Sequence, residues 1–173
     1  MHVYLAGPDV FLPDAMSIGA AKGALCREAG LGPLYPLEAE LELDWETTPK
    51  PVLAQAIFES NCTLIRMADA VLANLTPFRG PSADAGTVWE IGFAYALGKP
   101  VFGYSNVAAP FADRSRAFLT QRPDGLQVED FALPSDNLML HFALAGFFAE
   151  QASDTWRDLA SFKQALAALR ARA

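Results

Sequence analysis

The sequence predicts an α/β fold built on an open parallel sheet. Three observations carry that expectation: short apolar runs closed by Gly-Pro or Thr-Pro, helical-period stretches lying between them, and a regular alternation of the two along the chain. A parallel sheet of this kind is doubly wound, Rossmann or flavodoxin-like, with helices on both faces, and it collects ligands beyond the carboxyl ends of its strands.

The elements follow in order. Val3-Tyr4-Leu5-Ala6 is an apolar run stopped by Gly7-Pro8, which predicts a buried first strand. From Asp14 to about Ala29, Ala15, Ile18, Ala21, Leu25 and Ala29 recur at helical spacing before Gly30, giving the first helix. Leu34-Tyr35-Pro36-Leu37 reads as a short strand that its internal proline restricts to a sheet edge or a strand end, and an acidic stretch runs on from Glu38 to Glu46. A second helix is expected over 51–67, with Leu53, Ala56, Ile57, Asn61 and Leu64 on one face. It leads into Ala70-Val71-Leu72-Ala73-Asn74-Leu75, entered through Asp69 and closed by Thr76-Pro77, which reads as a central strand covered on both faces.

After a loop over 78–83, a helix is expected from about Asp84 to Leu97, stopped by Gly98 and followed by the strand Pro100 to Tyr104. The stretch from Asn106 to Asp136 reads as irregular and turn-rich, a lid or an interface loop. Leu138 to Ala149 is apolar almost all round, which predicts a buried helix, and a subunit interface is the favoured place for it. A last amphipathic helix is expected from Thr155 to about Arg170, with Trp156, Leu159, Phe162, Leu166 and Leu169 as its stripe.

At 173 residues and 52% hydrophobic content, the chain suits a single domain over 1–173. Only 19% of residues are charged and the formal net charge is −7, so no basic face is expected for a nucleic acid polymer. Cys26 and Cys62 form no CxxC pair and no histidine stands at ligand spacing, so reduced core thiols are expected and neither metal nor cofactor is called for. The absence of a basic leader and of a long apolar run makes a cytoplasmic location without membrane contact the expectation.

The segment with most chemistry in it is Ser82-Ala83-Asp84-Ala85-Gly86-Thr87-Val88-Trp89-Glu90-Ile91-Gly92, because it follows a buried strand and opens a helix. Asp84 and Glu90 are six positions apart, about 600° of helical rotation or roughly 240° net, so two fully helical side chains would diverge. They converge only if Asp84 precedes the first turn as an N-cap. Gly86 would then let a ligand approach the backbone closely. A capping aspartate with an exposed helical glutamate is the plain structural alternative.

Tyr4-Leu5-Ala6-Gly7-Pro8-Asp9-Val10-Phe11, Asp69-Ala70-Val71 and the segment from Asp84 to Gly92 together resemble the nucleoside 2-deoxyribosyltransferase family, and the likeness recurs at Asp136-Asn137-Leu138-Met139. The resemblance implies transfer of 2-deoxyribose between nucleobases by double displacement, with Glu90 as the nucleophile and a covalent deoxyribosyl intermediate. It implies that Asp84 binds the sugar hydroxyls or assists proton transfer, that Tyr4 orients the nucleophile, that Asp69 lies near the base, and that Asn137 reaches into a neighbouring subunit's site. The partners implied are nucleosides and free nucleobases, in a homo-oligomer with shared active sites.

The chemistry stands without the name: cleaving an N-glycosidic bond builds positive charge on the sugar, which an adjacent carboxylate stabilises and then captures as an ester. Phe11 could stack on a base and Asp9 could contact the sugar, with Gly7 at the turn between them and the first strand. A core contact for Phe11, a solvent-facing turn for Asp9, core packing for Tyr4, a solvated turn for Asp69 and simple capping by Asn137 remain open beside those readings. His141 reads as a core histidine. Where the family commonly carries a base-recognising amide, this chain has Glu38, Ala39 and Glu40, which leaves base preference open. The alternative activity is hydrolysis of the N-glycosidic bond of nucleosides or 2-deoxynucleoside 5-monophosphates, for which Arg79 is the one cation near Ser82 and Thr87 in sequence.

Overall fold

The computed structural model describes residues 1–39, 43–121, 125–129 and 131–172. Glu40 and part of the acidic stretch therefore lie outside the described residues, as do four positions of the irregular stretch.

Five parallel strands form one sheet in the order β2-β1-β3-β4-β5, where β1 is His2–Ala6, β2 Gly32–Leu34, β3 Ala70–Asn74, β4 Val101–Ser105 and β5 Gly146–Ala149. The chain reverses its winding direction between β1 and β3, so the crevice beyond the carboxyl ends of those two strands is the place such a sheet offers a ligand. Six helices accompany the strands among the described residues: α1 (Ala15–Glu28), α2 (Lys50–Met67), α3 (Ala85–Ala96), α4 (Phe111–Leu119), α5 (Leu138–His141) and α6 (Ala160–Arg172).

Strand side chains alternate between the two faces and so divide the core in two. Val3, Leu5, Ala70, Leu72, Phe102 and Tyr104 pack with Cys26 of α1 and Phe162, Ala165 and Leu169 of α6. Tyr4, Ala6, Val71, Ala73 and Val101 face the other way, against Ile65 of α2, Ile91 and Ala94 of α3 and Leu140 of α5. This is the three-layer arrangement expected from the alternation of strands and helices.

Four elements differ from the sequence reading. The edge strand is Gly32–Leu34, and Pro36–Glu38 forms a 3-10 turn, because a proline cannot donate to the ladder. The run from Leu138 to Ala149 is not one helix: a single turn is followed by β5, which pairs in parallel with β4. Apolar residues on every side suit a strand covered on both faces as well as a buried helix, and here Phe147 and Phe148 go to opposite cores. The stretch after Asn106 contains α4, anchored by Arg114, whose guanidinium donates to the Pro81 and Ser135 carbonyls. The last helix begins at Ala160 rather than Thr155, because the Asp154 carboxylate accepts from the Trp156 and Arg157 amides and Asp158 accepts from the Ala160 amide.

Among the described residues no helix is long and apolar enough to cross a membrane, and no group of acidic, histidine or cysteine side chains has the arrangement of a metal site.

Candidate active site

The turn after β1 and the helix after β3 meet at the winding reversal. A cavity of about 420 Å³ opens there, within the size range of small-molecule sites. Gly7, Phe11, Asp84, Gly86 and Glu90 all line it.

Glu90 sits on the first full turns of α3, and its carboxylate Oε1 accepts a hydrogen bond of 2.6 Å from the Tyr4 hydroxyl. Tyr4 is fully buried in β1, so its ring has no freedom to carry that hydroxyl elsewhere. Removal from water pushes the Glu90 carboxyl up to about 7; the Tyr4 hydrogen bond opposes the shift and the neighbouring Asp84 charge adds to it. Its second oxygen has no protein partner among the described residues. Burial, with the Glu90 charge nearby, drives the Tyr4 phenol far above its ordinary range, so Tyr4 stays a donor.

Asp84 is the N-cap of α3. Its Oδ2 accepts from the Thr87 amide at 3.0 Å and from the Thr87 hydroxyl at 3.2 Å. Cap geometry is what lets Asp84 and Glu90 line one cavity despite their six-residue separation. Gly86 keeps that cap open, since a Cβ there would stand 3.0 Å from Asp84 Oδ2. The loop that delivers Asp84 is tied from behind by Asp136, a fully buried residue that accepts from the Ser82 hydroxyl at 2.7 Å and the Ala83 amide at 2.9 Å, with Arg114 3.8 Å away.

Gly7 has no room for a side chain: a Cβ would lie 2.6 Å from Asp9 Oδ2 and 2.7 Å from Asn74 Cβ. Phe11 is largely exposed at the cavity rim and stacks on Phe78 with ring centres 5.4 Å apart, while the Arg79 guanidinium lies over both rings.

Three residues singled out from the sequence fall elsewhere. Asp9 is neither a cavity wall nor a solvent-facing turn residue. It is 2% exposed, with Oδ2 paired to Lys22 at 2.6 Å and Oδ1 accepting from Asn74 at 2.9 Å, so both oxygens are used inside the protein. Asp69 precedes β3 at the amino edge of the sheet and accepts from the His2 amide. At about 3.3 Å per residue, the five residues of β3 separate it from the cavity end by roughly 16 Å, too far to touch a base held there. Asn137 caps α5, accepting from the Leu140 amide, and lines a separate apolar groove with Val88, Tyr95, Met139 and Phe142.

Lys22, Asn74 and Asp136 were not singled out from the sequence, nor were the cavity walls Pro36, Leu37, Trp45 and Ser60, while Thr87 entered only beside Ser82 in the hydrolase alternative. Asn61 had one visible signal: it is a polar residue within the apolar stripe of α2, and it faces the cavity.

Fold and site together define an α/β protein with a pair of carboxylates lining a cavity at the strand ends of its sheet. The nucleoside 2-deoxyribosyltransferase family model matches residues 3–139, and the chain belongs to that family. A solved 2-desoxiribosyltransferase from Leishmania mexicana is similar over its whole length, at 31% identity and a TM-score of 0.64, covering 96% of this chain and 97% of that one. A 2-deoxyribosyltransferase from Bacillus psychrosaccharolyticus shares the fold at 22% identity and a TM-score of 0.57, covering 89% and 93%. An uncharacterized protein of Schizosaccharomyces pombe is 30% identical over 120 residues, 69% of this chain; that stretch is 56% of the relative, so the chain matches little more than half of its length.

Proposed function

We propose that the protein transfers 2-deoxyribose from one nucleobase to another through a covalent ester on Glu90. The observation that carries this reading is the half-buried Glu90 carboxylate, held by Tyr4 on one oxygen and bare on the other, at the wall of a nucleoside-sized cavity. In its ionised form the free oxygen attacks the anomeric carbon as the bond to the base nitrogen breaks; the base departs and takes up a proton. A second base then attacks the same carbon, releases Glu90 as carboxylate and gives up its own proton. Two inversions restore the starting configuration.

Asp84 is the other carboxylate on the cavity wall, where it takes the first of the two roles expected of it, binding the sugar hydroxyls, while the departing base draws its proton from water. Gly86 leaves room for substrate beside Asp84, Gly7 lets the turn pack closely on Asp9 and Asn74, and Phe11 offers the base a stacking face. Asp9 supports the Gly7 turn from behind.

Incubation with 2-deoxyinosine and adenine tests the proposal. The expected product is 2-deoxyadenosine, and Glu90→Ala is expected to lower its formation by about a thousandfold or more, as for loss of a covalent nucleophile. Free deoxyribose as the sole product would instead assign the N-glycosidic hydrolase reading. Absence of any turnover would reduce the protein to a binding module.

The same reading extends to a homo-oligomer. Met139 and Phe142, 78% and 71% exposed beside Asn137, form an apolar surface suited to a second copy, through which Asn137 would reach a partner's cavity. Sedimentation at micromolar concentration is expected to give a multimer, and a monomeric mass would overturn this part.

A further inference from the structure

The chain leaves β3 at Asn74 and enters α3 at Ala85, so the stretch 75–84 decides where Asp84 stands. That stretch does little to hold itself: from 76 to 83, the one backbone-to-backbone hydrogen bond among the described residues runs from the Phe78 amide to the Ser82 carbonyl. The three residues directly before Asp84 are instead gripped by two side chains from later in the chain. Arg114 Nε of α4 donates to the Pro81 carbonyl at 2.9 Å, and the Asp136 carboxylate accepts from the Ser82 hydroxyl on one oxygen and the Ala83 amide on the other. Both gripping residues are themselves anchored. Arg114 also donates to the Ala109 and Ser135 carbonyls at 2.6 and 2.8 Å, and Asp136 accepts from the Asn137 amide at 2.8 Å. The two side chains are 7% and 0% exposed, so water competes little for these bonds.

The group held this way is a carboxylate on the cavity wall. Asp84 Oδ2 is spent on the Thr87 amide and hydroxyl, whereas Oδ1 has no protein partner among the described residues and stays available to a ligand. The bonds to Thr87 orient the side chain relative to α3, and those from Asp136 fix the backbone from which it springs. We propose that Asp136, braced by Arg114, is a positioning residue for sugar binding: sealed off from the cavity, it sets the place of Asp84 Oδ1 by fixing Ser82 and Ala83. The proposal rests on the deoxyribosyl-transfer reading and extends it from the cavity wall to a buried ion pair outside it. Hydrogen bonds to a sugar hydroxyl reward an oxygen only where it meets the bound sugar, so a small displacement of the loop is costly.

Transfer from 2-deoxyinosine to adenine, measured in a double-mutant cycle, separates positioning from general support of the fold. Asparagine keeps the shape of Asp136 but supplies one acceptor where the carboxylate supplies two. Asp136→Asn is expected to lower kcat/KM for 2-deoxyinosine about tenfold, and Ser82→Ala, which deletes one bond and leaves the buried charges in place, about threefold. Added to Asp84→Ala, neither is expected to lower it further, since no carboxylate remains to be positioned. Losses by the same factor in both backgrounds would overturn the proposal. Binding reads the same role without turnover. In the Glu90→Ala background, calorimetric titration is expected to show Asp136→Asn weakening 2-deoxyinosine about tenfold and free hypoxanthine less than about twofold, because only the nucleoside carries the hydroxyls that Asp84 binds. Equal weakening of nucleoside and base would also overturn it. Should Asp136→Asn not fold, Ser82→Ala carries both comparisons. The binding contrast in a protein that exchanges no base would refute the transfer reading and leave the positioning role standing.

Discussion

Two carboxylates flank the turn that ends β1, and the protein treats them in opposite ways. Asp9 is sealed in the core, yet Lys22 and Asn74 satisfy both of its oxygens. Glu90 is less deeply buried and has one tyrosine hydroxyl for company. Depth of burial therefore does not separate the proposed nucleophile from the scaffold carboxylate; incomplete compensation does. A carboxylate whose charge is answered within the fold becomes scaffold, whereas one left partly unanswered keeps a raised pKa and an oxygen to offer.

Breaking the compensated side is expected to have the largest effect on the fold. Lys22→Met strands the Asp9 charge, and urea denaturation is expected to show a loss of about 3–5 kcal/mol, partly recovered by adding Asp9→Asn. Burial pulls the Lys22 ammonium down from its ordinary range and Asp9 holds it up, so the two depend on each other. An undiminished stability in Lys22→Met would remove the contrast.

Glu90 responds through activity. Tyr4→Phe deletes the hydrogen bond that opposes its raised pKa, and kcat/KM is expected to fall about ten- to a hundredfold, the worth of a hydrogen bond to a charged group. Because the nucleophile must be ionised, wild-type activity is expected to rise with pH through about 7. The midpoint in Tyr4→Phe is expected at higher pH; an unmoved midpoint would show that Tyr4 does not tune Glu90.

Stability reports the same group with a smaller amplitude. Glu90 binds its proton more tightly folded than unfolded, where 4.5 is its ordinary value, so its contribution to stability falls as pH rises from about 4.5 to about 7. Glu90→Gln removes that decline and is expected to be about 1–3 kcal/mol more stable than wild type at pH 8, with the difference shrinking toward pH 4.5. Equal melting curves at both pH values would contradict it. Asp69→Asn, at the opposite edge of the sheet, is expected to leave exchange within about twofold, as for a substitution remote from the site; a larger loss would bring Asp69 back into the chemistry.

The fold class was legible because helical and strand periods alternate cleanly, and the cavity walls Gly7, Phe11, Asp84 and Gly86 were legible because they sit in the turn after β1 and at the start of α3, with Glu90 following within that helix. Local pattern failed where an apolar run has two solutions. Gly146-Phe147-Phe148-Ala149 pairs with β4 and places its phenylalanines on opposite faces, which depends on a strand some forty residues earlier in the chain. Between the two readings open for Asp69 the sequence could not decide, because a sequence match does not say at which end of a parallel strand a residue lies.

By itself, then, the sequence determined the alternation of elements, the capping position of Asp84 and the presence of a glutamate on the helix that follows, since these are properties of neighbours along the chain. Only the tertiary structure decided which carboxylate is compensated. Lys22 reaches Asp9 from α1, Tyr4 reaches Glu90 from β1, and Asn61 reaches the cavity from α2, each across the sheet or from a neighbouring helix. Desolvation and charge pairing act through space over a few ångströms, and no local pattern records which distant residues the fold will bring within that range.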